Sequence, residues 1–285
     1  TVTVQAGPTK AVFCRKTGTL ARLEMKGRTI LKDAAPGLTA GPRLTCMRAF
    51  TDNDIWMRAK FFDSGLTQLR YHPEPVVVEG HAIKTAVKVT GSKSAGFRHE
   101  TVWTFAPDGS VVLANTATPF GTFPPAIPRL GLTWILDKDL QEVAYYGRGP
   151  YENYIDRRTA SLLGEWRTTV DGLSEEYVRP QDNGCRTDVR WVSFADSTGA
   201  GVRFAASQPL FVQASRYAAE DLEFSRHRNG QQRFRSPLVP RDGIHVNLDV
   251  LQTGLGGGSC GPAPMEKYTI KVPQTLAWNV RMAPL

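Results

Sequence analysis

Ile244-His245-Val246-Asn247-Leu248-Asp249-Val250 places apolar and polar side chains on alternate positions without a break. A period of two points successive side chains to opposite faces of an extended chain, so the stretch predicts a strand with one buried face. The same alternation recurs at Ala82 to Val89 (A-I-K-T-A-V-K-V), Thr101 to Phe105, Arg129 to Leu136, Val189 to Phe194 (V-R-W-V-S-F), Val202 to Phe204 and Tyr268 to Val272. Between these runs stand Pro107-Asp108-Gly109, Asp196-Ser197-Thr198-Gly199 and Arg241-Asp242-Gly243, turn chemistry that predicts hairpins of an antiparallel sheet. Helical spacing shows best at Ser215 to Arg226 (S-R-Y-A-A-E-D-L-E-F-S-R). The class is all-β, with about fifteen to eighteen strands and one short helical piece.

Over 285 residues, 41% hydrophobic and 22% charged side chains exclude a disordered or collagen-like chain. A sandwich of seven to nine strands needs about 100 residues. Here the same texture runs from end to end with no Ser/Gly-rich or Pro-rich tether, which favours one large antiparallel sandwich over residues 1–285. A possible joint at Pro119 to Pro128 carries Phe120, Phe123 and Ile127, which read as packing residues. The longest apolar runs, such as Val76 to Val78 and Ser110 to Leu113, fall far below the roughly 18 residues of a membrane-spanning helix, and no membrane partner is expected. No internal repeat of fixed period stands out.

The formal net charge is +8, and 24 of the 35 basic residues are Arg. The closest clusters are Arg157-Arg158 and Arg226-His227-Arg228 with Arg233-Phe234-Arg235, without a run of like charges or a base-stacking signature, so no nucleic-acid partner is expected. Arginine in this pattern suits bidentate pairing with carboxylates. Cys14, Cys46, Cys185 and Cys260 lie too far apart for a CxxC metal or redox motif and fit reduced thiols, which leaves the compartment open. His72, His81, His99, His227 and His245 share no metal-ligand spacing; His81, His99 and His245 fall in strand patterns and read as polar-face residues. The chain begins Thr1-Val2-Thr3-Val4, without Met or a signal-like segment, and reads as starting after processing or within a longer polypeptide.

Three stretches break the strand pattern. Arg48 to Asp54 (R-A-F-T-D-N-D) crowds Asp52, Asn53 and Asp54 beside an arginine; Tyr146 to Arg157 (Y-G-R-G-P-Y-E-N-Y-I-D-R) is dense in Gly, Tyr and charge; Thr253 to Pro264 (T-G-L-G-G-G-S-C-G-P-A-P) has five Gly in twelve positions. Loops of this composition carry function or close interfaces more often than they merely connect. The Gly-rich run lacks the last Gly of GxGxxG and has no GKS or GKT, and no G-x-S-x-G occurs, so neither a nucleotide site nor an activated serine is supported. Glu152 and Asp156 are expected to pair with Arg148, Arg157 or Arg158, and Asn183-Gly184 reads as a turn.

Taken together these stretches resemble the C-terminal domain of the large bacterial β-galactosidases of glycoside hydrolase family two. Y-G-R-G-P-Y-E-N-Y-I-D-R is similar to that domain's G-x-G-P-x-E-N-Y-x-D-R segment. R-A-F-T-D-N-D-I at Arg48 to Ile55 is similar to its R-A-P-x-D-N-D-I, and Y-V-R-P-Q-D-N-G-C-R at Tyr177 to Arg186 to its Y-V-x-P-x-E-N-G-x-R. Ser215-Arg216-Tyr217 with His227, Val246 to Asp249 and Gly254 to Gly257 follow in the family's order, so the likeness runs from about Val12 to the C-terminus.

The resemblance implies a supersandwich of the galactose-mutarotase-like type and a fragment of a longer enzyme. Both catalytic Glu residues would lie on a separate barrel, so this chain has no catalytic residue of its own. It implies no cofactor in this chain, parent enzymes often using Mg and Na on other domains. The implied partners are the remainder of the parent chain, a carbohydrate substrate and further copies in a homo-oligomer. It also implies that one loop reaches the rim of the active site, where relatives stack a Trp on the sugar. The corresponding substrate-binding positions are Gly257, Gly258, Ser259 and Cys260, with Cys260 in the Trp place. Asp52, Asn53, Asp54, Glu152, Asn153, Asp156, Arg157, Asn183 and Arg186 are expected in loops or interfaces. Two other functions stay open: a free-standing epimerase of the mutarotase type, which needs a His/Glu pair in one concave site, and a carbohydrate-binding module.

Overall fold

The computed structural model describes residues 1–31, 41–226, 238–272 and 274–285. The chain opens with an antiparallel meander of β1 (Val2–Ala6), β2 (Thr9–Cys14), β3 (Thr19–Met25) and β4 (Arg28–Thr29). Gly7 turns β1 into β2 at φ 52°, a backbone region that L side chains rarely enter. The apolar side of the meander packs into the main core, with Phe13 edge-on to Trp103 at 5.2 Å between ring centroids.

There follow, in chain order, β5 (Arg43–Thr45), α1 (Ile55–Ser64), β6 (Arg70–Pro73), β7 (Val77–Glu79), β8 (Ala82–Thr90), β9 (Gly96–Phe105) and β10 (Val111–Phe120). Next come β11 (Arg129–Leu136), β12 (Glu142–Gly149), β13 (Leu162–Thr169), α2 (Val170–Leu173) and β14 (Arg186–Ala195). The chain ends with β15 (Gly201–Ser215), α3 (Ala219–Arg226), β16 (Ile244–Gln252) and β17 (Leu276–Pro284). The strands β5 to β17 form one large antiparallel sheet in the order β13-β12-β14-β15-β17-β10-β9-β8-β6. The sheet forks along β15. Val202 to Ala206 pair with β17, whereas Phe211 to Ser215 pair with β16, which carries β11 and then β5. The change of neighbour falls around Pro209, which has no N–H to give to a ladder.

The Ile244 to Val250 heptapeptide in β16 shows how this sheet is built. One cross-strand row is Leu44, Leu132, Leu248 and Val212, all buried; the next is Arg43, Thr133, Asn247 and Gln213. Apolar rows thus face the core around Trp134, and polar rows occupy the other face of the same ribbon.

Several expectations need correction. Tyr268 to Val272 is not a strand: Tyr268 closes a 3₁₀ turn (Glu266–Tyr268), and Ile270 makes only an isolated bridge to Ile127. Tyr146 to Gly149 belong to β12 rather than to a loop. The Arg241 to Gly243 turn leads into β16 after α3 and closes no hairpin. Helix α1 was not foreseen; its start is marked by Asp54, whose carboxylate accepts the Thr51 amide at 2.9 Å, and it ends at Gly65 with φ 77°. His99 is buried on the core side of β9 with Phe97 and Trp103, whereas His245, though buried, lies on the polar face with Asn247, and His81 is exposed in the turn before β8. His99 stacks on Trp278 and bonds the Asn115 side chain at 3.0 Å; burial lowers its pKa to about 4. His227, Arg228, Arg233 and Arg235 lie outside the described residues. All four cysteines are free thiols, and burial pushes Cys46 and Cys185 up to about 12.

Candidate functional site

The loops singled out by composition come together. At their centre is Arg48, fully buried, whose guanidinium reaches both oxygens of buried Asp54 (3.2 and 2.5 Å) and the backbone oxygens of Thr253 (2.5 Å) and Gly254 (3.2 Å). One arginine therefore fastens the loop before α1 to the Gly-rich loop after β16. Burial works against its charge, but the Asp54 carboxylate outweighs that and raises its pKa.

The loop between β12 and β13 is tied in by Tyr154, whose hydroxyl donates to Asp182 at 2.9 Å. Asp182 also accepts from Gln213 Nε2 (2.9 Å), and its amide donates to Ala49 O. Arg129 at the start of β11 stands 2.8 Å from Asp249 and 3.8 Å from Asp182, all three buried. Burial pushes Asp249 up to about 6 despite its arginine neighbour. This is a buried polar network beneath the loops.

Each expected residue has a definite place. Asn153 is buried and works as a splice: its Oδ1 accepts from the amide and hydroxyl of Thr187, and its Nδ2 donates to Arg148 O and Tyr151 O. Glu152 and Asp156 do not make the expected arginine pairs. Glu152 accepts from the Gly184 amide (2.8 Å) and from the Tyr177 hydroxyl. Asp156 receives the amides of Leu255 (3.1 Å) and Gly256 (2.7 Å), while Arg148 and Arg158 turn to Asp188 instead. Each carboxylate instead satisfies two donors of the neighbouring loops, at least one of them a backbone amide that burial would otherwise leave unpaired. Arg157 is exposed and contributes a backbone bridge to Tyr154. Asn183 caps Glu175 N through its side chain, and Arg186 is buried against the Tyr145 hydroxyl and the backbone of Gly184 and Cys185.

The outer rim is the turn from Gly256 to Gly261, held by Gly257 N to Pro262 O (2.9 Å) and Cys260 N to Gly257 O (3.0 Å). Half-exposed Asn53 accepts from Ser259 N (3.2 Å) and Ser259 Oγ (2.7 Å), and Asp52 pairs with Arg179 at 3.3 Å. Of the five glycines, only Gly256 has a positive φ, 66°. Gly254 and Gly258 are there for closeness: a Cβ would fall 2.5 Å from the Asp156 carboxylate and 2.4 Å from Asn53 O, respectively. Ser259 and Cys260 are exposed at the tip.

Sequence reasoning missed Tyr154, Asp182, Arg129 and Gln213 as members of the cluster. Arg129 carried a signal, since a charge opening an otherwise apolar strand demands a buried partner. Among the described residues no group of three or more His, Cys, Asp or Glu converges as a metal-binding set, and no helix is long and apolar enough to cross a membrane. Chemically the cluster is a scaffold that fixes a small, glycine-lined rim with one exposed thiol.

The family model described as the beta-galactosidase small chain matches residues 5–282. A protein named beta-galactosidase from Halalkalibacterium halodurans is 29% identical over 276 residues, covering 93% of this chain and 26% of that protein. One of the same name from Aeromonas hydrophila is 31% identical over 220 residues, covering 72% of this chain and 19% of its own length. The chain thus spans about a quarter or less of these curated relatives. Among solved structures, a GalM/aldose epimerase homologue from C. elegans superposes with a TM-score of 0.53 at 8% identity, over 100% of this chain and 98% of that one, a likeness of fold alone.

Proposed function

The chain belongs to the β-galactosidase small-chain family, and from that premise we propose that it is the non-catalytic, site-completing domain of a β-galactosidase of glycoside hydrolase family two. In this reading it packs on a catalytic barrel elsewhere in the parent protein and shapes the part of the active site that receives the leaving group. The observation that carries the proposal is the convergence of the Arg48, Tyr154, Asn183 and Gly254 loops into one buried network with a single rigid rim at Gly257 to Cys260.

A retaining glycosidase needs two carboxylates about 5 Å apart on either side of an anomeric carbon. The carboxylates of this cluster are committed instead: Asp54 to Arg48, Asp156 to two amides, Glu152 to Gly184 and Tyr177. The acid/base and nucleophile are therefore assigned to the barrel, as are the Mg²⁺ and Na⁺ sites of the parent enzyme. What this chain supplies is position. Backbone at Gly257 and Gly258 permits close approach, Ser259 offers a hydroxyl, and Cys260 stands where a stacking Trp would close over the sugar. A small group there leaves a wider entrance for the aglycone.

Crystals of the full-length enzyme with a bound disaccharide test this directly. The expected result is Ser259 and Cys260 in van der Waals or hydrogen-bond reach of the aglycone; a rim turned away from the barrel mouth would remove the proposal.

A further inference from the structure

At one end of the β5–β11–β16 ribbon Arg129 and Asp249 join the loop network through Asp182. Toward the start of β16 the ribbon's polar face opens into a cleft of about 270 Å³, just below the ~300 to 1,000 Å³ typical of small-molecule pockets. Its polar lining comes from Arg43, Gln68, Tyr71, Glu220, His245 and Asn247. Arg43 and Asn247 are both cross-strand partners of Thr133, so they share one face by register. His245 lies two positions before Asn247, on the same side.

Among the described residues no hydrogen bond ties up the side chains of Arg43, Gln68, Glu220, His245 or Asn247, and the Arg43 Nε is buried without any partner. Tyr71 is the exception: its hydroxyl donates to Leu44 O at 2.9 Å, and its ring lies 5.8 Å from the Arg43 guanidinium carbon. A buried guanidinium nitrogen left open costs free energy unless something else binds it.

The mixture selects the ligand. An anion suits Arg43 but meets the Glu220 carboxylate in the same cleft, and a cation meets the reverse conflict. A neutral ring carrying several hydroxyls both donates and accepts, which matches a donor set of Arg43, Asn247 and Gln68 and an acceptor in Glu220. His245 is held neutral, with a pKa lowered to about 4 by burial and the nearby Arg241 and Arg43, and so presents one donor and one acceptor nitrogen. We propose that this cleft is a carbohydrate-binding site for a single neutral sugar ring, held by Arg43, Asn247 and Glu220. It is separate from the Gly257 to Cys260 rim, since eight residues of strand and loop, roughly 26 Å of extended chain, divide His245 from Thr253. The proposal does not depend on where the rim points.

The test is a series of soaks of crystals of the full-length protein with D-galactose, D-glucose or sulfate at graded concentrations. The expected result is a sugar ring in the cleft against Arg43 and Asn247. Arg43→Ala and Asn247→Ala should each raise the half-saturating concentration about tenfold, the loss of one strong hydrogen bond. Glu220→Gln, which keeps the shape, should weaken binding less. The same crystals show whether each variant keeps its fold. An empty cleft at saturating sugar, sulfate bound in place of sugar, or sugar bound equally well by both alanine variants would each overturn the proposal. None of these would touch the active-site reading, which concerns the other end of β16.

Discussion

Arg48 and Asp54, six residues apart and both without solvent exposure, face each other through two hydrogen bonds inside the cluster that joins the motif loops. Breaking such a buried pair by removing one partner leaves an uncompensated charge, a loss of about 3 to 5 kcal/mol. Asp54→Ala should therefore lower the denaturant midpoint of the 285-residue chain by that equivalent, with calorimetry of the unsubstituted 285-residue chain showing one cooperative transition. A change below about 1 kcal/mol would mean that the cluster is not what closes this end of the fold.

Acid should destabilise the protein between pH 6.5 and 4. His99 and His245 have pKa values lowered to about 4 by burial, against 6.5 when unfolded. In that window the unfolded chain binds more protons, so stability falls as pH falls, by up to roughly 3 kcal/mol per histidine. Asp249, raised to about 6, has the opposite sign between pH 6 and 3.8, where the folded state holds the extra proton. Two histidines outweigh one carboxyl. His99→Gln should flatten the profile measured by urea unfolding across this range; an unchanged slope would show that His99 does not titrate with folding.

Gly258→Ala should loosen the rim without unfolding the chain. The added methyl would sit 2.4 Å from Asn53 O, backbone that has to move before it fits. Hydrogen exchange at Ser259 and Cys260 should quicken in this variant, and likewise in Asp156→Ala, which frees the amides of Leu255 and Gly256. Unchanged protection would place the restraint elsewhere.

Cys260→Trp in the full-length enzyme should alter KM for disaccharides more than kcat for an activated aryl galactoside, since a stacking contact made equally in ground and transition states acts on KM. An effect of about 1 kcal/mol, or fivefold, fits an aromatic contact. No change for any acceptor would mean that the rim does not meet the aglycone.

Much of the fold was legible because strands bury alternate rows, and Ile244 to Val250 shows this directly: Val246 and Leu248 enter the core while His245 and Asn247 line the opposite face. Helix α1 was hidden because Trp56, Met57, Phe61 and Phe62 do not form a clean helical stripe, although Thr51 and Asp54 carried a capping signature. Tyr268 to Val272 shows the converse: its alternation is real, but among the described residues no neighbouring strand pairs with it beyond the Ile127 bridge. The motif loops were readable as special, yet their mutual contacts, such as Tyr154 to Asp182, join residues far apart in sequence and leave no local trace.

In the proposed role this chain completes a β-galactosidase and leaves catalysis to the barrel. Hydrolysis of a chromogenic β-galactoside is to be measured on the 285-residue chain alone and on the same chain together with the proposed catalytic barrel. Robust turnover is expected with the barrel present and none from the chain alone. Turnover by the isolated chain that disappeared on changing one of its own carboxylates would contradict it.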